Sequence, residues 1–262
     1  MTARALTIAG SDPGGGAGLQ ADLKTFTAFK VYGMSAVTSV TVQNTLGVRG
    51  VSPVPPLVVA AQIDAVLEDL GTDAVKTGML ASAPVIAEVA ARLKAHRVRN
   101  LVVDPVMFAK SGHALLEPRA AGALIKKLLP LALVITPNAP EAARLAGIPV
   151  TDAASARRAA RAIRALGPAY VLLKGGHLEG PFCEDLLFDG KVFTAFRSPR
   201  LGTKNTHGTG CTLSAAVAAG LALGQGPREA VREAVKYVGG AIRNSFALGG
   251  GHGPLNHFWR LA

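Results

Sequence analysis

The sequence has little cysteine and no long uninterrupted apolar run. Only two of its 262 residues are cysteines, Cys183 and Cys211, which excludes a disulfide framework and predicts a protein of the reducing cytoplasm. No leader of the secretory type, with charged, apolar and small-residue parts, opens the sequence. The apolar stretch after Cys211 is interrupted by Gly220 and Gly224, so it is too short to span a membrane. We therefore expect a cytoplasmic protein without a membrane anchor.

Acidic residues are also scarce, since 28 Lys and Arg residues outnumber 17 Asp and Glu residues and give a net charge of +11. A clustered basic face would indicate nucleic-acid binding. Here the basic residues are scattered, and the one group of four arginines, between residues 157 and 164, lies opposite Ala160 and Ile163 on a predicted helix. Aromatic residues, at 5%, are too few for a base-stacking platform. The charge thus favours attraction of anionic small molecules over nucleic-acid binding.

The apolar pattern predicts an α/β fold in one domain over residues 1–262. With 49% hydrophobic residues, the chain can bury a large core. Short apolar strands separated by helices are typical of a mainly parallel central sheet with helices on both faces. The predicted strands are 5–9, 35–42, 73–76, 101–103, 133–136 and 170–173, with an extended edge strand or connector at 51–56 and a hairpin of 186–188 and 192–196. Six helices are predicted with both ends, at 57–70, 82–96, 115–129, 141–145, 151–166 and 227–246. Two more are predicted to begin at residues 19 and 211.

Parallel sheets bind their ligands beyond the carboxyl ends of the strands. The glycine and polar positions at such points are 10–18, Gln43, 78–79, Asp104, Asn138, Lys174 and 208–211. We expect them to converge on one rim of the sheet. Residues 16–21 satisfy the dinucleotide pattern G-x-G-x-x-A, but no acidic residue ends the next strand. We therefore reject a dinucleotide-binding fold and interpret these glycines as a loop close to a ligand.

The turn Gly208-Thr209-Gly210-Cys211 leads directly into an alanine-rich segment. A glycine turn before a helix makes an anion site, because the N–H groups of the first turn and the positive end of the helix dipole face the ligand. The same field lowers the pKa of a thiol, so we expect Cys211 to be a reactive thiolate. The alternative is a tight helix start whose cysteine is a small buried residue.

Asp104, Asn138 and Glu141 offer oxygen ligands for a metal ion. Asp104 follows a buried strand, where its carboxylate is expected to reach water or a metal, and Asn138 and Glu141 lie three residues apart at a helix start. Such oxygens suit Mg²⁺ held partly through water and substrate phosphates. The alternative for Asn138 and Glu141 is a capping box, which does not exclude binding. Lys174 precedes two glycines and is interpreted as free to reach a phosphate, although a single lysine is more often merely solvated.

Gln43 follows an apolar strand. Its planar amide offers a donor and an acceptor, which match the edge of a heteroaromatic ring. Met79 is placed to cover the face of such a ring. Taken singly, each of these residues is more often structural.

These residues belong to longer motifs that resemble one family. The motifs are 5–13 with 15–25, Gln43-Asn44-Thr45, Asp104-Pro105-Val106-Met107, Thr136-Pro137-Asn138, Lys174-Gly175-Gly176-His177, 204–214 and 249–254. They span the chain and closely resemble the hydroxymethylpyrimidine/phosphomethylpyrimidine kinases of the ribokinase-like superfamily. His113 and the pair Lys30-Val31 depart from the family pattern at peripheral positions.

The resemblance implies a homodimeric kinase of thiamine biosynthesis that uses ATP and Mg²⁺. Its substrate would be 4-amino-5-hydroxymethyl-2-methylpyrimidine and then the monophosphate of that pyrimidine. By position, the resemblance assigns the pyrimidine pocket to Gly10, Asp22, Gln43, Met79 and Val106, and the anion hole to Gly208, Thr209, Gly210 and Cys211. It assigns ATP contacts to Lys174, Thr209 and Asn138, and the metal to Asn138 and Glu141, with Asp104 as a further metal ligand from its oxygen chemistry. Cys211 stands where most ribokinase relatives carry an aspartate base, so the resemblance assigns the base to Cys211.

Two other functions stay open. Some pyridoxal kinases of the same fold also carry a cysteine at this position, so pyridoxal or pyridoxine is an alternative substrate. A non-catalytic sensor of pyrimidines or nucleotides is an alternative of another class. The complete set of Asp104, Asn138, Glu141, Lys174 and Cys211 argues against a loss of catalysis.

Overall fold

The computed structural model describes residues 2–108, 112, 115–117, 119–177 and 180–261, and these residues form a nine-stranded sheet. The strand order is β3-β2-β1-β4-β5-β6-β7-β8-β9. The strands are β1 Arg4–Ser11, β2 Tyr32–Asn44, β3 Gly47–Pro53, β4 Ala74–Thr77, β5 Leu101–Val103, β6 Val134–Ile135, β7 Tyr170–Leu173, β8 Phe182–Phe188 and β9 Phe193–Pro199. From β2 to β7 the neighbours are parallel, whereas β3, β8 and β9 pair antiparallel with their neighbours. The predicted, mainly parallel sheet is confirmed.

Helices cover both faces of the sheet. They are α1 Gly18–Ala28, α2 Pro56–Asp69, α3 Ala83–Ala95, α4 Ala120–Ala123, α5 Ala139–Ala146, α6 Ala153–Ala165, α7 Thr209–Ala222 and α8 Pro227–Arg243, with a π turn at Leu124–Leu128 and 3₁₀ turns at Leu129–Leu131 and Gly175–His177. Successive strand residues point to opposite faces, so Leu6 packs in the cluster under α2, α3, α5 and α6, while Ala5 packs in the cluster under α1, α7 and α8. Burial on both faces explains why these strands are continuously apolar.

Helix α7 is buried because its residues are small. All residues from 212 to 221 are buried, and the helix packs against both α1 and α8. At Gly220 an added Cβ would lie 2.9 Å from the Cβ of Ala230 in α8, so glycine allows the two helices to approach closely. This packing holds the first turn of α7 at the carboxyl end of the sheet.

Residues 115–129 do not form the continuous helix that we expected. Regular helix begins only at Ala120. The N–H group of Leu115 donates instead to the carbonyl of Met107, and that of Glu117 donates to the carbonyl of Ala81. Because these backbone donors are paired with distant carbonyls, they do not contribute to a helix start.

The other predicted elements are confirmed with small changes at their ends. The hairpin is β8 and β9, and the extended connector is the edge strand β3. The last long helix ends at Arg243, before the expected residue 246, because the N–H group of Phe246 donates to the carbonyl of Pro254. His113, which departs from the family pattern, and Pro118, which falls within the predicted helix 115–129, lie outside the described residues.

The group of arginines lies on the outer side of α6, as predicted. Ala160 and Ile163 are buried, whereas the guanidinium groups of Arg157 and Arg161 lie 4.8 and 5.0 Å from the centre of the Phe193 ring. These two cations therefore pack on an aromatic ring of the same protein. Within the described part of the chain, no helix is long and apolar enough to cross a bilayer.

Adjacent glycines in α8 allow a matched test of its packing. A Cβ at Gly240 would lie 2.2 Å from Cζ2 of Trp259, whereas a Cβ at Gly239 would meet no atom within 4 Å. We expect Gly240→Ala to lower the free energy of unfolding by about 1–3 kcal/mol through overpacking. Gly239→Ala should raise it by up to about 1 kcal/mol, because alanine favours the helix. Denaturant unfolding of both variants measures the difference, and equal stabilities would contradict the described packing of Trp259.

Candidate active site

The loops at the carboxyl ends of the strands surround a cavity of about 790 Å³. Its lining includes Gly10, Gln43, Met79, Asp104, Val106, Asn138, Glu141, Lys174 and the whole turn 208–211. The predicted convergence on one rim is therefore confirmed for these residues. A second cavity, of about 560 Å³, includes Asp73, Arg97 and Asn100 in its lining and contains none of the predicted site residues.

The anion turn, residues 208–211, depends on two glycines packed against each other. Gly208 has φ +81°, and a Cβ there would lie 1.7 Å from the carbonyl oxygen of Gly16. Both the backbone conformation and the contact therefore require glycine. Helix α7 begins at the next residue, so the N–H groups of Gly210 and Cys211 have no acceptor within the helix and are available to an anion.

Lys174 lies beside the anion turn in an ion pair. Its Nζ donates to Oδ1 of Asp104 at 2.9 Å and lies 3.8 Å from Oε2 of Glu141. A Cβ on Gly210 would be 3.2 Å from the same Nζ. Burial alone would lower the pKa of Lys174, but the two carboxylates raise it above its ordinary value. Lys174 is therefore held by carboxylates instead of being merely solvated, and its contact with a phosphate stays a prediction.

Asp104 is almost completely buried, with 2% of its surface exposed. Its Oδ1 accepts hydrogen bonds from Lys174 and from Thr136 at 3.1 Å, and its Oδ2 accepts one from Ser214 at 3.3 Å. The expectation that this carboxylate lies in water instead of the core was wrong, whereas its contact with a metal stays a prediction, since Asp104 also lines the cavity. Its oxygens are turned to protein donors, since burying an unpaired carboxylate would be costly.

Asn138 and Glu141 form the capping box of α5. Asn138 Oδ1 accepts from the N–H group of Glu141 at 2.9 Å, and Glu141 Oε2 accepts from the N–H group of Asn138 at 2.8 Å. The capping alternative is confirmed, and both residues also line the cavity. Burial raises the pKa of Glu141 to about 7, against the opposing effect of Lys174 and with a further increase from Asp104.

Cys211 is not the low-pKa thiolate that we expected. Burial raises the pKa of its thiol to about 11, although Lys76 and the N–H group of Gly18 oppose this shift. Asp22 and Asp104 raise it further. Desolvation of the thiolate therefore outweighs the field at the start of α7, and the thiol is neutral near pH 7.

A buried ion pair lies beneath the anion turn. Lys76 Nζ donates to Asp22 Oδ2 at 2.7 Å, and both side chains have no exposed surface. Thr7 donates to the same oxygen at 2.6 Å. Lys76 lines the cavity, whereas Asp22 does not, so Asp22 holds Lys76 at the cavity wall, and its charge also raises the pKa of Cys211. The sequence analysis missed Lys76, although a lysine in a buried strand indicates a buried partner.

In the part of the cavity wall that contains Gln43, glycine at position 10 leaves room for Met79. A Cβ on Gly10 would lie 3.1 Å from Sδ of Met79. Gln43 contacts His207, with 3.3 Å between the amide nitrogen and Nε2, and His207 Nε2 lies 2.8 Å from Oδ2 of Asp12. Asp12 and His207 lie inside the family motifs, but the sequence did not indicate a role for them. The only signal for either residue in the sequence is its position next to a glycine turn.

Comparison with known proteins gives a consistent result. The sequence profile described as phosphomethylpyrimidine kinase matches residues 12–256. The thiamine biosynthesis bifunctional protein ThiED of Geobacter sulfurreducens is 54% identical over 252 residues, which are 96% of this chain and 51% of that protein. The chain thus spans about half the length of that relative. The hydroxymethylpyrimidine/phosphomethylpyrimidine kinase of Streptomyces coelicolor is 52% identical over 98% of this chain and 94% of its own length.

A solved structure confirms the fold. The ADP complex of Bacillus subtilis pyridoxal kinase has a TM-score of 0.92 and 40% sequence identity over the full length of both chains. The ribokinase-like fold implied by the resemblance is thus confirmed. Because the family profile and the Streptomyces relative both extend over nearly the whole chain, the protein belongs to the phosphomethylpyrimidine kinase family.

Proposed function

We propose that the protein phosphorylates the hydroxymethyl group of 4-amino-5-hydroxymethyl-2-methylpyrimidine with ATP and then phosphorylates the monophosphate, in thiamine biosynthesis. The observation that carries this proposal is the presence of the anion turn, Lys174 and Gln43 in one cavity. That cavity offers N–H groups and a cation to phosphates and an amide to a heteroaromatic ring. The kinase activity named for the Streptomyces relative agrees with this chemistry.

The anion turn and Lys174 stabilise the phosphoryl group during transfer. Charge spreads over the phosphoryl oxygens in the transition state, so donors already held in place stabilise it without rearrangement. The N–H groups of Gly210 and Cys211 and the ammonium group of Lys174 are such donors. Thr209 and Asn138, which also line the cavity, contact the nucleotide phosphates in this assignment.

The oxygens beside Lys174 fit Mg²⁺ through Glu141 and Asn138. Mg²⁺ usually keeps several waters and takes one or two carboxylates together with substrate phosphates, and Glu141 supplies a carboxylate at the cavity wall. When bound, Mg²⁺ neutralises charge on the phosphates. Asp104 was expected as a further ligand, but it already accepts bonds from Lys174, Thr136 and Ser214. We therefore assign Asp104 the role of holding Lys174 in place.

We assign to Cys211 the role of the base that accepts the proton of the attacking hydroxyl group. The alcohol must lose this proton as its oxygen bonds to the γ-phosphorus. Because the pKa of Cys211 is about 11, thiolate is scarce near neutral pH, and Lys76 is the cation that favours its formation. The monophosphate needs no base, since its attacking oxygen is already ionised near neutral pH.

The pyrimidine pocket is assigned to Gly10, Gln43, Met79 and Val106, all of which line the cavity. Asp22 supports this pocket indirectly, through its ion pair with Lys76. The pyridoxal alternative rests on the similarity to Bacillus subtilis pyridoxal kinase. The sensor alternative is disfavoured by the complete arrangement around Lys174.

Four features of the proposal come from the sequence. We propose one kinase domain over residues 1–262, which the continuous sheet supports. We propose a homodimer, supported by the outward face of β2, where Val40 and Val42 are 51% and 61% exposed. The cytoplasmic location rests on the cysteine content and stays a prediction, as does the absence of nucleic-acid binding.

Mass analysis of reaction products tests the function. With the pyrimidine alcohol, ATP and Mg²⁺, we expect the monophosphate to form first and the pyrophosphate to follow. Pyridoxal is offered in a parallel reaction. If pyridoxal is phosphorylated and the pyrimidine is not, the result favours a pyridoxal kinase. If the pyrimidine binds but no ATP is consumed, the result favours a non-catalytic sensor.

Cys211→Ala separates the two phosphorylation steps. We expect a loss of about 10²–10⁴-fold in phosphorylation of the alcohol and a much smaller loss with the monophosphate. In the unmodified enzyme the first step should accelerate between about pH 7 and 9, because the thiolate fraction rises below the pKa of the thiol. The variant should lack this dependence, and Cys183→Ala serves as the control. An equal loss in both steps would indicate a disturbed anion turn instead of a missing base.

Glu141→Gln tests the metal assignment. The variant keeps an acceptor for the capping bond but removes the charge, so we expect about a tenfold higher Mg²⁺ requirement in initial-rate titrations. Since burial raises the pKa of Glu141 to about 7, the folded state holds this proton more tightly than the unfolded state. Stability contributed by this group is therefore lost as the pH rises towards 7. Thermal melts at about pH 8 should show the variant at least as stable as the parent, and a large loss of stability without a Mg²⁺ effect would indicate capping alone.

A further inference from the structure

Asp12 and His207 have no role in the proposal above, yet both line the cavity beside Gln43. As placed, Gln43 Nε2 faces His207 Nε2 at 3.3 Å, and Gln43 Oε1 faces Thr41 Oγ1 at 3.3 Å. The oxygen and nitrogen of an amide are assigned from the partners that they face. The donors and acceptors around Gln43 therefore decide its orientation.

The proton between His207 and Asp12 belongs to the histidine. Burial raises the pKa of Asp12, but the hydrogen bond and charge of His207, with the N–H groups of Ala17 and Gly14, hold it below the usual value. The carboxylate is thus ionised and can only accept. His207 Nε2 must then donate to Asp12 Oδ2, 2.8 Å away. This nitrogen has no lone pair left to accept a hydrogen from the Gln43 amide.

The opposite end of the amide leads to the same conclusion. Thr41 Oγ1 donates its single hydrogen to the carbonyl of Ser11 at 2.8 Å, so it has none for Gln43 Oε1. When the amide is rotated by half a turn, its oxygen becomes the second, longer acceptor of the His207 Nε2–H group, which it shares with Asp12 Oδ2 in a three-centre hydrogen bond. Its nitrogen then donates to Thr41 Oγ1. Every donor then faces an acceptor.

Both members of the pair are themselves held rigidly. Asp12 accepts hydrogen bonds from the N–H groups of Gly14 at 2.9 Å and Ala17 at 2.8 Å. The backbone N–H group of His207 donates to the carbonyl of Gly253 at 3.1 Å. His207 can therefore impose one orientation on Gln43.

We propose that Asp12 and His207 form a positioning pair that locks the Gln43 amide, with its oxygen towards His207, so that Gln43 selects a ring with an amino group next to a ring nitrogen. The locked amide keeps one N–H group and one lone pair for a ligand. A ring nitrogen and the adjacent amino group complement this pair, whereas a pyridine nitrogen flanked by carbon atoms offers no donor beside it. The inference rests on the proposed pyrimidine substrate and identifies how that substrate is distinguished from pyridoxal.

Calorimetric binding in the absence of ATP tests the pair. The two probes are 4-amino-5-hydroxymethyl-2-methylpyrimidine and the same pyrimidine without its amino group. We expect the unmodified protein to prefer the amino compound by about tenfold. His207→Phe keeps a flat ring but removes the donor, and Thr41→Val removes the acceptor at the other end, so each should lose most of this preference. His207→Gln restores an N–H donor and should recover part of it.

Gln43→Ala is the matched control. It should abolish the preference, and adding His207→Phe to it should change nothing further, because the two residues act through one contact. Equal weakening of both probes in His207→Phe and Thr41→Val, or a preference that survives in both, overturns the positioning role while leaving the proposed function intact. If the unmodified protein binds neither probe, the proposed function fails and the inference fails with it. Thr41→Val, which conserves side-chain shape, still decides the matter if thermal melting shows that His207→Phe is unfolded.

Discussion

The ion pair between Lys174 and Asp104 organises the carboxyl end of the sheet. Asp104 follows β5 and Lys174 follows β7, with β6 between them, and 2.9 Å separates the charged atoms. Either charge alone would be costly at this depth, so each requires the other. The pair holds a cation beside Gly210 before any ligand arrives, and a cation that does not need to move is most effective on a phosphoryl group.

Burial affects the other ionisable groups of the cavity according to their partners. Lys174 stays charged because carboxylates surround it. For Cys211, burial, Asp22 and Asp104 raise the pKa more than Lys76 and the N–H group of Gly18 lower it, so the thiol is neutral. Glu141 lies between these cases, with a pKa of about 7. The cavity therefore combines a permanent cation with groups whose charge responds to what binds there.

The sequence predicts which residues lie at the carboxyl ends of the strands. It does not predict which side chains are buried or which distant residues they pair with. The rule for parallel sheets brought Gln43 and Asn138 to one rim correctly. It did not reveal that the pKa of the Cys211 thiol is raised, because groups far along the chain, Asp22 and Asp104, contribute to that shift. Lys76 pairs with Asp22, 54 positions away, and no local pattern marks such a pair. The helix expected at 115–129 begins only at Ala120 for the same reason. The carbonyls of Met107 and Ala81 accept hydrogen bonds from backbone N–H groups that a local pattern assigns to the helix.

The open sheet has two edge strands, β3 and β9. Each ends in a proline, at Pro53 and Pro199, and proline has no N–H group to offer a further strand. Strand β9 also carries Arg197, paired with Glu184 of its neighbour, and charged side chains at an edge oppose pairing with other chains. Parallel strands far apart in sequence pair slowly during folding. Edges built in this way protect the chain from intermolecular strand addition and aggregation while its sheet is still being assembled.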